Sequence, residues 1–520
     1  DGFTWFDVKV TPKKPGVTLN KVQLRYAMPE SEIAYANLNC EGTAYVELCS
    51  PEKIPSTLSF CPHILLGNDF RSLEFYTETD RNYFPEHGKN VVSIRKQGNE
   101  RVITYDMVTA PKVLEKETSY AFGWQAAPVK PIISNWRGRI QHYGGRHAPK
   151  SDYFHHWSWS RWYGFLRPID ANEMHTMYGK WKTVYPGMII QPYFCQYILS
   201  MISDEYKLYG VEWSSLPRTE LMEFGPRYPG KSVVACNGAP TYVDFWMENL
   251  KLFMDDFPEI KGCYWDSIDP RTCENELHNH GWRDSKGKLY PTRDIINIRD
   301  FYKRAYKIIK QKHPDGLICG HSSQRRNLPT FAFCDVVYDG EQFVSTVSAN
   351  PDYTDILSDN YCRSFFGSQY GIVPLFMPAY YNNEKMATTE IHPTESIYLH
   401  SLVYGFIVHS HRINNNVTDA ILDITLPFGI GEADYIPPYE PAAQAKFVKV
   451  SSDGDIRMGI YRSKSGRLLV AVGNFGAAEA KVTLTFPGKG SITERRSGKE
   501  LGKGKVTTTI PSHNFILLEQ

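Results

Sequence analysis

Two carboxylates two residues apart, Asp339 and Glu341, close the apolar stretch Phe331–Phe343 (FAFCDVVYDGEQF). From Phe331 to Tyr338 the only charge is Asp335, and the run is rich in aromatic and β-branched residues. That composition reads as a buried strand of a parallel sheet. Side chains alternate across a strand, so Asp339 and Glu341 are expected on the same side. Two acids at a buried strand end are costly unless they have a task. Close together they do not both ionise easily, so one should hold its proton near neutral pH. A protonated acid beside an ionised one suits glycosidic bond cleavage. The plainer alternative is a solvated loop carrying two ordinary acids.

Further polar residues stand where other apolar runs end. Tyr193 closes GMIIQPYF and Asn237 follows Ser232–Cys236. Asp266 ends IKGCYWD, with Asp269 three residues on, and His321 ends LICGH. Tyr380 and Tyr381 follow GIVPLFMPA. Asp after a strand is often a cap. Here Pro270 makes the next loop irregular, and catalysis, substrate contact and capping all stay open for Asp266. Trp265, Tyr338 and Gln342 flank the acids and join Tyr193, Asn237, Asp269, His321 and Tyr380 as candidate substrate contacts. In a barrel, function gathers at the C-terminal ends of the strands, where all of these would lie.

The segment Cys273–Trp282 (CENELHNHGW) offers Cys273, His278 and His280 as metal ligands. The two histidines are two apart, which is neither helical nor finger-like spacing, and no second Cys or His group stands at zinc distance. The segment is therefore read as a substrate-facing loop with Asn275, His278 and His280 as contacts, and neither metal nor cofactor is expected. Phe154–Trp162 (FHHWSWSRW) is either one wall of a sugar cleft or core.

The elements that must position these residues change period along the chain. Up to residue 131 the runs Leu19–Ala27, Thr43–Leu48, Val91–Lys96, Arg101–Asp106 and Thr118–Trp124 alternate between Gly, Pro and Asn clusters. They predict an N-terminal β-sandwich. From 132 to 440 strands alternate with helices. Gly187–Phe194, Ser232–Cys236, Ile260–Trp265, Leu317–His321, Phe333–Tyr338 and Ile372–Met377 read as buried strands. Pro240 opens a helix to Phe257, with Val243, Trp246, Met247, Leu250, Phe253 and Met254 on one face. Thr292 is the candidate N-cap of another, which ends before Pro314-Asp315-Gly316. A helix from about Pro393 leads into Val403–Ser410. This pattern predicts an α/β chain built on a (β/α)8 TIM-like barrel. A doubly wound sheet is the competitor, but no Gly-rich phosphate loop follows any strand. From 441 to 520 the helical period disappears. Ile456–Tyr461, Arg467–Asn474, Ala480–Phe486 and Asn514–Glu519 predict a small C-terminal β-sandwich.

Composition bounds the partners. A net charge of +1 over 520 residues gives no reason to expect nucleic acid or an anionic membrane. No run of about 18 apolar residues is present, so no membrane span is expected. Thirty-three Tyr, 27 Phe and 11 Trp serve a large core, and their faces also stack on sugars. The ten cysteines contain no C-x-x-C pair, and most sit in apolar runs as small hydrophobes. The chain begins Asp1-Gly2, which reads as a processed start.

Together, YWDSIDPRTCENELHNHGW, LICGHSS and VVYDGEQF resemble the catalytic domain of glycoside hydrolase family 123 and its less characterised relatives. The resemblance implies a β-sandwich, a central barrel and a small C-terminal β domain. It also implies a retaining hexosaminidase chemistry in which the substrate's 2-acetamido group is the nucleophile. Glu341 would then be acid/base, and Asp339 would orient the acetamido group and stabilise the intermediate. Members of the family carry the two acids side by side; here Gly340 separates them. This D-x-E spacing resembles the last two acids of the chitinase-type motif. The other mechanism keeps Glu341 and makes Asp266 a direct nucleophile on a neutral or uronic sugar, with the two carboxyls about 5–5.5 Å apart. The expected partner is a carbohydrate and the expected location periplasmic or secreted. A non-catalytic carbohydrate-binding protein is the alternative from another class.

Overall fold

Short alternating runs become antiparallel sheets that pack one face on a core and leave the other to solvent. In the computed structural model, which describes residues 1–40, 47–87, 90–141, 144–156, 171–221, 230–323 and 325–520, two such sheets begin the chain. A six-stranded and a four-stranded sheet share one core, including Leu38, Ile64, Phe75, Ile94, Ile103, Tyr105 and Phe122. The expected runs Val91–Lys96, Arg101–Asp106 and Thr118–Trp124 are strands here, as Val92–Gln97, Glu100–Val108 and Thr118–Ala127. Most of Thr43–Leu48 lies outside the described residues. A disulfide joins Cys40 to Cys61 in this region.

The middle of the chain builds one all-parallel sheet of seven strands: β1 Tyr153–His156, β2 Ile189–Phe194, β3 Gly262–Trp265, β4 Leu317–His321, β5 Val336–Asp339, β6 Val373–Phe376 and β7 Ile407–Val408. Each pairs with the next in sequence, and the order never reverses. A doubly wound sheet needs a reversal at its switch point. The two ends of the sheet are also bridged. The Gln141 carbonyl accepts from the Ser410 amide (3.3 Å) and hydroxyl (3.2 Å) just after β7, and Ile140 bonds Asp152 just before β1. The core is therefore barrel-like, with its helices outside.

Three expectations change. Phe331 is in the helical turn Leu328–Phe331, and β5 begins only at Val336. Phe333 and Cys334 are buried beneath that turn, so apolarity there reflects burial and not extension. Ser232–Val234 is a strand, but it pairs antiparallel with Ile198–Ser200 and Glu220–Leu221, outside the parallel sheet. Thr292 is not an N-cap. It lies in the short strand Thr292–Arg293, and the helix Ile296–Lys312 is capped from far away, its Ile295 and Ile296 amides donating to Glu78. Burial pushes that Glu78 carboxyl up to about 7. The helix Pro240–Asp256 forms as expected, burying Val243, Trp246, Met247, Leu250, Phe253 and Met254.

The helix His392–Tyr404 is buried along nearly its whole length. It lies between the parallel sheet and a C-terminal six-stranded antiparallel sheet, which explains its lack of an amphipathic stripe. That sheet and a three-stranded one share a core of Val470, Val472, Val482, Leu484 and Leu518. Among the described residues, no helix is long and apolar enough to cross a membrane.

Candidate active site

Which strand-end residues reach the mouth of the barrel-like core is decided by alternation. Tyr193 of β2, Tyr264 of β3, Cys319 of β4, Val336 and Tyr338 of β5 and Leu375 of β6 share the inner cluster. Phe194, Cys263, Trp265, Ile318, Val337 and Phe376 belong to the outer cluster under the helices. Continued one step, this pattern turns Asp266 and His321 inward and Asp339 outward.

The contacts follow that parity. The Tyr193 hydroxyl donates to Oδ2 of Asp266. Oδ1 of Asp266 lies 3.3 Å from Nδ1 of His321, and the Tyr264 hydroxyl is 2.7 Å from the same nitrogen. The other ring nitrogen, Nε2, is 3.6 Å from Oε2 of Glu341 and has no hydrogen-bond partner among the described residues. Oε1 of Glu341 accepts from the Tyr381 hydroxyl at 3.0 Å, and the Arg412 guanidinium covers that tyrosine's ring at 4.1 Å. A polar chain thus crosses the ends of five neighbouring strands. Both of its carboxylates are open to solvent, the Asp266 side chain being 20% exposed and that of Glu341 44%.

His321 carries the balancing charge. Burial opposes its protonation. The hydrogen bond to Asp266 and the charges of Asp266, Glu341 and Asp339 outweigh that and push the imidazole up to about 9. At neutral pH it is an imidazolium wedged between Asp266 and Glu341.

Asp339 is in a different environment. Its side chain has no solvent exposure, Oδ2 is 3.3 Å from Nη1 of the equally buried Arg326, and Oδ1 accepts from the Gly340 amide at 2.7 Å. Arg326 lies over the Phe365 ring at 4.3 Å. Asp339 and Glu341 therefore do not share a side. The strand ends at Asp339, Gly340 takes φ +131°, and Glu341 opens the 3-10 turn Glu341–Phe343. Only glycine fits there, because a Cβ would collide with the Met377 carbonyl oxygen.

The remaining sequence candidates divide. Tyr338 is inward and packs against Tyr264, His321 and His409. Asp269 joins the loops after β3 and β4, accepting from Ser322 Oγ (3.1 Å) and Arg325 Nη1 (3.3 Å). Gln342 bonds the Gly340 amide and the Tyr361 hydroxyl, so it holds the turn. Trp265 faces outward and is fully buried against Phe194, Trp246 and Phe301. Tyr380 is buried and donates to the carbonyls of Pro351 and Pro393. Its neighbour Tyr381 reaches Glu341 instead.

Asn237, Asn275, His278 and His280 are buried away from this chain. Asn275 caps the turn Glu276–His278 and donates to the Ser214 carbonyl at 3.0 Å. His278 and His280 do not line the mouth as substrate contacts: Cys236 meets them and Cys273, bringing the second Cys group that spacing alone did not supply. Trp157–Trp162 lie outside the described residues. Sequence reasoning missed Tyr264, Arg326 and His409. Inward parity marks Tyr264 and His409; Arg326 sits in an irregular loop and left no signal.

No family model matches the chain, and no curated protein matches it. Several solved structures are similar in shape. A noncanonic maltogenic α-amylase, AmyB, from Thermotoga neapolitana is 9% identical over 76% of this chain and 88% of its own, with a TM-score of 0.43. The GH36 α-galactosidase AgaB from Geobacillus stearothermophilus is 11% identical over 95% and 76%, with a TM-score of 0.46. A debranching enzyme from Nostoc punctiforme is 10% identical over 72% and 86%, with a TM-score of 0.45. Identities and TM-scores of this size leave the activity to be argued from the site itself.

Proposed function

We propose that the protein is a glycoside hydrolase, with Glu341 as general acid/base and Asp266 as the nucleophile of a direct, retaining mechanism. The observation that carries this reading is the solvent-reachable pair Asp266 and Glu341, held on either side of His321. A bound sugar would have to draw the two carboxyls to about 5–5.5 Å from each other. In the first step an Asp266 oxygen bonds to the anomeric carbon while the bond to the leaving oxygen breaks and takes the Glu341 proton. In the second, Glu341 removes a proton from water, which displaces Asp266 and releases the sugar. His321 and Tyr193 orient Asp266, and Tyr381 orients Glu341. The assisted mechanism implied by the family 123 resemblance would need Asp339 at the substrate. Its burial against Arg326 favours Asp266 for that place. Asp339 then acts as a positioning residue for the strand end.

The same reading takes the central sheet as a (β/α)8 barrel, within domain limits of 132–440. The sheets on either side would be sandwiches of residues 1–131 and 441–520. A periplasmic or secreted location fits a carbohydrate substrate, and the Cys40–Cys61 disulfide supports it.

A panel of α- and β-linked aryl glycosides tests the activity, with the product anomer followed by NMR. Turnover with retention is expected, lost in Asp266→Ala and answered by a glycosyl azide when azide is added. Binding of sugars with no turnover of any panel member would make the chain a carbohydrate-binding protein. Inversion would rule out the nucleophile.

A further inference from the structure

Beyond the candidate active site, the described residues bring two cysteines and two histidines together from segments far apart in sequence. Cys236 follows the antiparallel strand Ser232–Val234, Cys273 lies in the short strand Thr272–Cys273, and His278 and His280 flank the end of the next turn. All four are buried, and one ligand atom from each lies within 4.8 Å of the others. Cys236 Sγ is 3.4 Å from Nδ1 of His280, and Cys273 Sγ is 3.5 Å from Nδ1 of His278. Ligand atoms about 2.0–2.3 Å from a tetrahedral zinc stand roughly 3.3–3.9 Å from each other, so these contacts need little adjustment.

Three further features suit a metal better than a packed core. Each sulfur accepts an amide two residues on, Gly238 N to Cys236 at 3.4 Å and Asn275 N to Cys273 at 3.3 Å. Such bonds stabilise thiolates, the form a metal requires. Each imidazole turns Nδ1 toward sulfur and has an outer partner for Nε2. For His278 this is the Glu212 carbonyl; for His280 it is the Asp294 carboxylate, 3.8 Å away. That is the second shell that orients a ligating histidine. Gly238 leaves room for the rings, since a Cβ there would stand 2.6 Å from Cε1 of His280.

We propose that Cys236, Cys273, His278 and His280 bind one zinc ion as a closed structural site. Four protein ligands leave no open position, so the ion does not take part in turnover. It ties the entry of the helix Pro240–Asp256 to the long loop after β3, the loop that begins at Asp266 and continues through Asp269. Cys236 and Cys273, 37 positions apart in sequence, are thereby fixed to each other.

Elemental analysis of the full chain, purified without metal-affinity steps, is expected to find one zinc per chain. Exchange into cobalt should give intense tetrahedral ligand-field bands with thiolate charge-transfer bands in the near ultraviolet. Cys236→Ser and Cys273→Ser should each lose the metal, and a strong chelator should lower the melting temperature of the wild type, with zinc restoring it. Should either variant fail to fold, the wild-type stoichiometry and cobalt spectrum still decide. Absence of metal together with a Cys236–Cys273 disulfide on peptide mapping would overturn the proposal. So would zinc retained in both variants, or a cobalt spectrum without thiolate bands, which would point to another donor set such as Asp352, Asp355 and His513.

Discussion

Asp266 and Asp339 both end strands of the same parallel sheet, and they lead opposite lives. Asp266 faces inward, is partly open to solvent and meets a tyrosine hydroxyl and an imidazolium. Asp339 faces outward, is fully buried and meets Arg326. One residue of parity separates them: Asp266 follows outward Trp265, whereas Asp339 follows inward Tyr338. A carboxylate at a strand end is thus a candidate for chemistry only when its parity brings it to the mouth. Glu341 escapes the rule because Gly340 turns the chain first.

The largest effects should come from the inward set. Glu341→Gln should slow substrates with poor leaving groups by roughly a hundredfold to ten-thousandfold. An aryl group that departs without a proton should be much less affected. Equal losses on the two kinds of substrate would remove Glu341 from the acid role.

The outward set should show in stability. Asp339→Asn leaves Arg326 charged and unpaired in the barrel–helix layer, which costs about 3–5 kcal/mol. Adding Arg326→Met should recover much of that loss in denaturant titrations. No recovery would mean that Asp339 is needed for something other than Arg326.

His321 links pH to stability. Its folded pKa, about 9, stands above the ordinary 6.5. The stabilisation is therefore fully present below pH 6.5 and is lost as pH rises through 9. A shift of that size corresponds to on the order of 3 kcal/mol. The advantage of wild type over His321→Gln in melting temperature should shrink across that window, and an advantage that grew with pH would contradict the imidazolium assignment.

A further effect is expected at the hinge between the two sets. Gly340→Ala should cost more than the roughly 1–3 kcal/mol of backbone strain alone, because its Cβ meets the Met377 carbonyl oxygen, and should displace Glu341 from Tyr381. Unchanged stability and activity would mean that the turn has another conformation available.

How far the sequence carried depends on whether the deciding interaction was local. The helix Pro240–Asp256 was legible because its apolar spacing and its Pro at the start are properties of the segment itself. The cap of Ile296–Lys312 was not, because Glu78 reaches it from the first sheet, more than 200 residues away. The strand Ser232–Val234 was visible as extended and apolar, but its antiparallel partners were not. Asp266, His321 and Tyr193, which the structure brings into contact, stand at strand ends that are visible in the sequence. Trp265 and Tyr380 were wrongly included because strand-end position was used without parity. Cys236 seemed a small hydrophobe, since 37 residues separate it from Cys273 and only the fold brings the two sulfurs together.

The most direct test compares Asp266→Asn with Asp339→Asn on one activated aryl glycoside that the wild type hydrolyses, measuring kcat/KM and melting temperature for each. Asp266→Asn should stay folded, melt lower only by the part of the His321 stabilisation that Asp266 supplies, and lose activity by a factor of roughly a thousand. Asp339→Asn should melt lower and, at a temperature where it is folded, retain activity within about tenfold of wild type. A folded and inactive Asp339→Asn beside an active Asp266→Asn would contradict the account and return the catalytic role to Asp339.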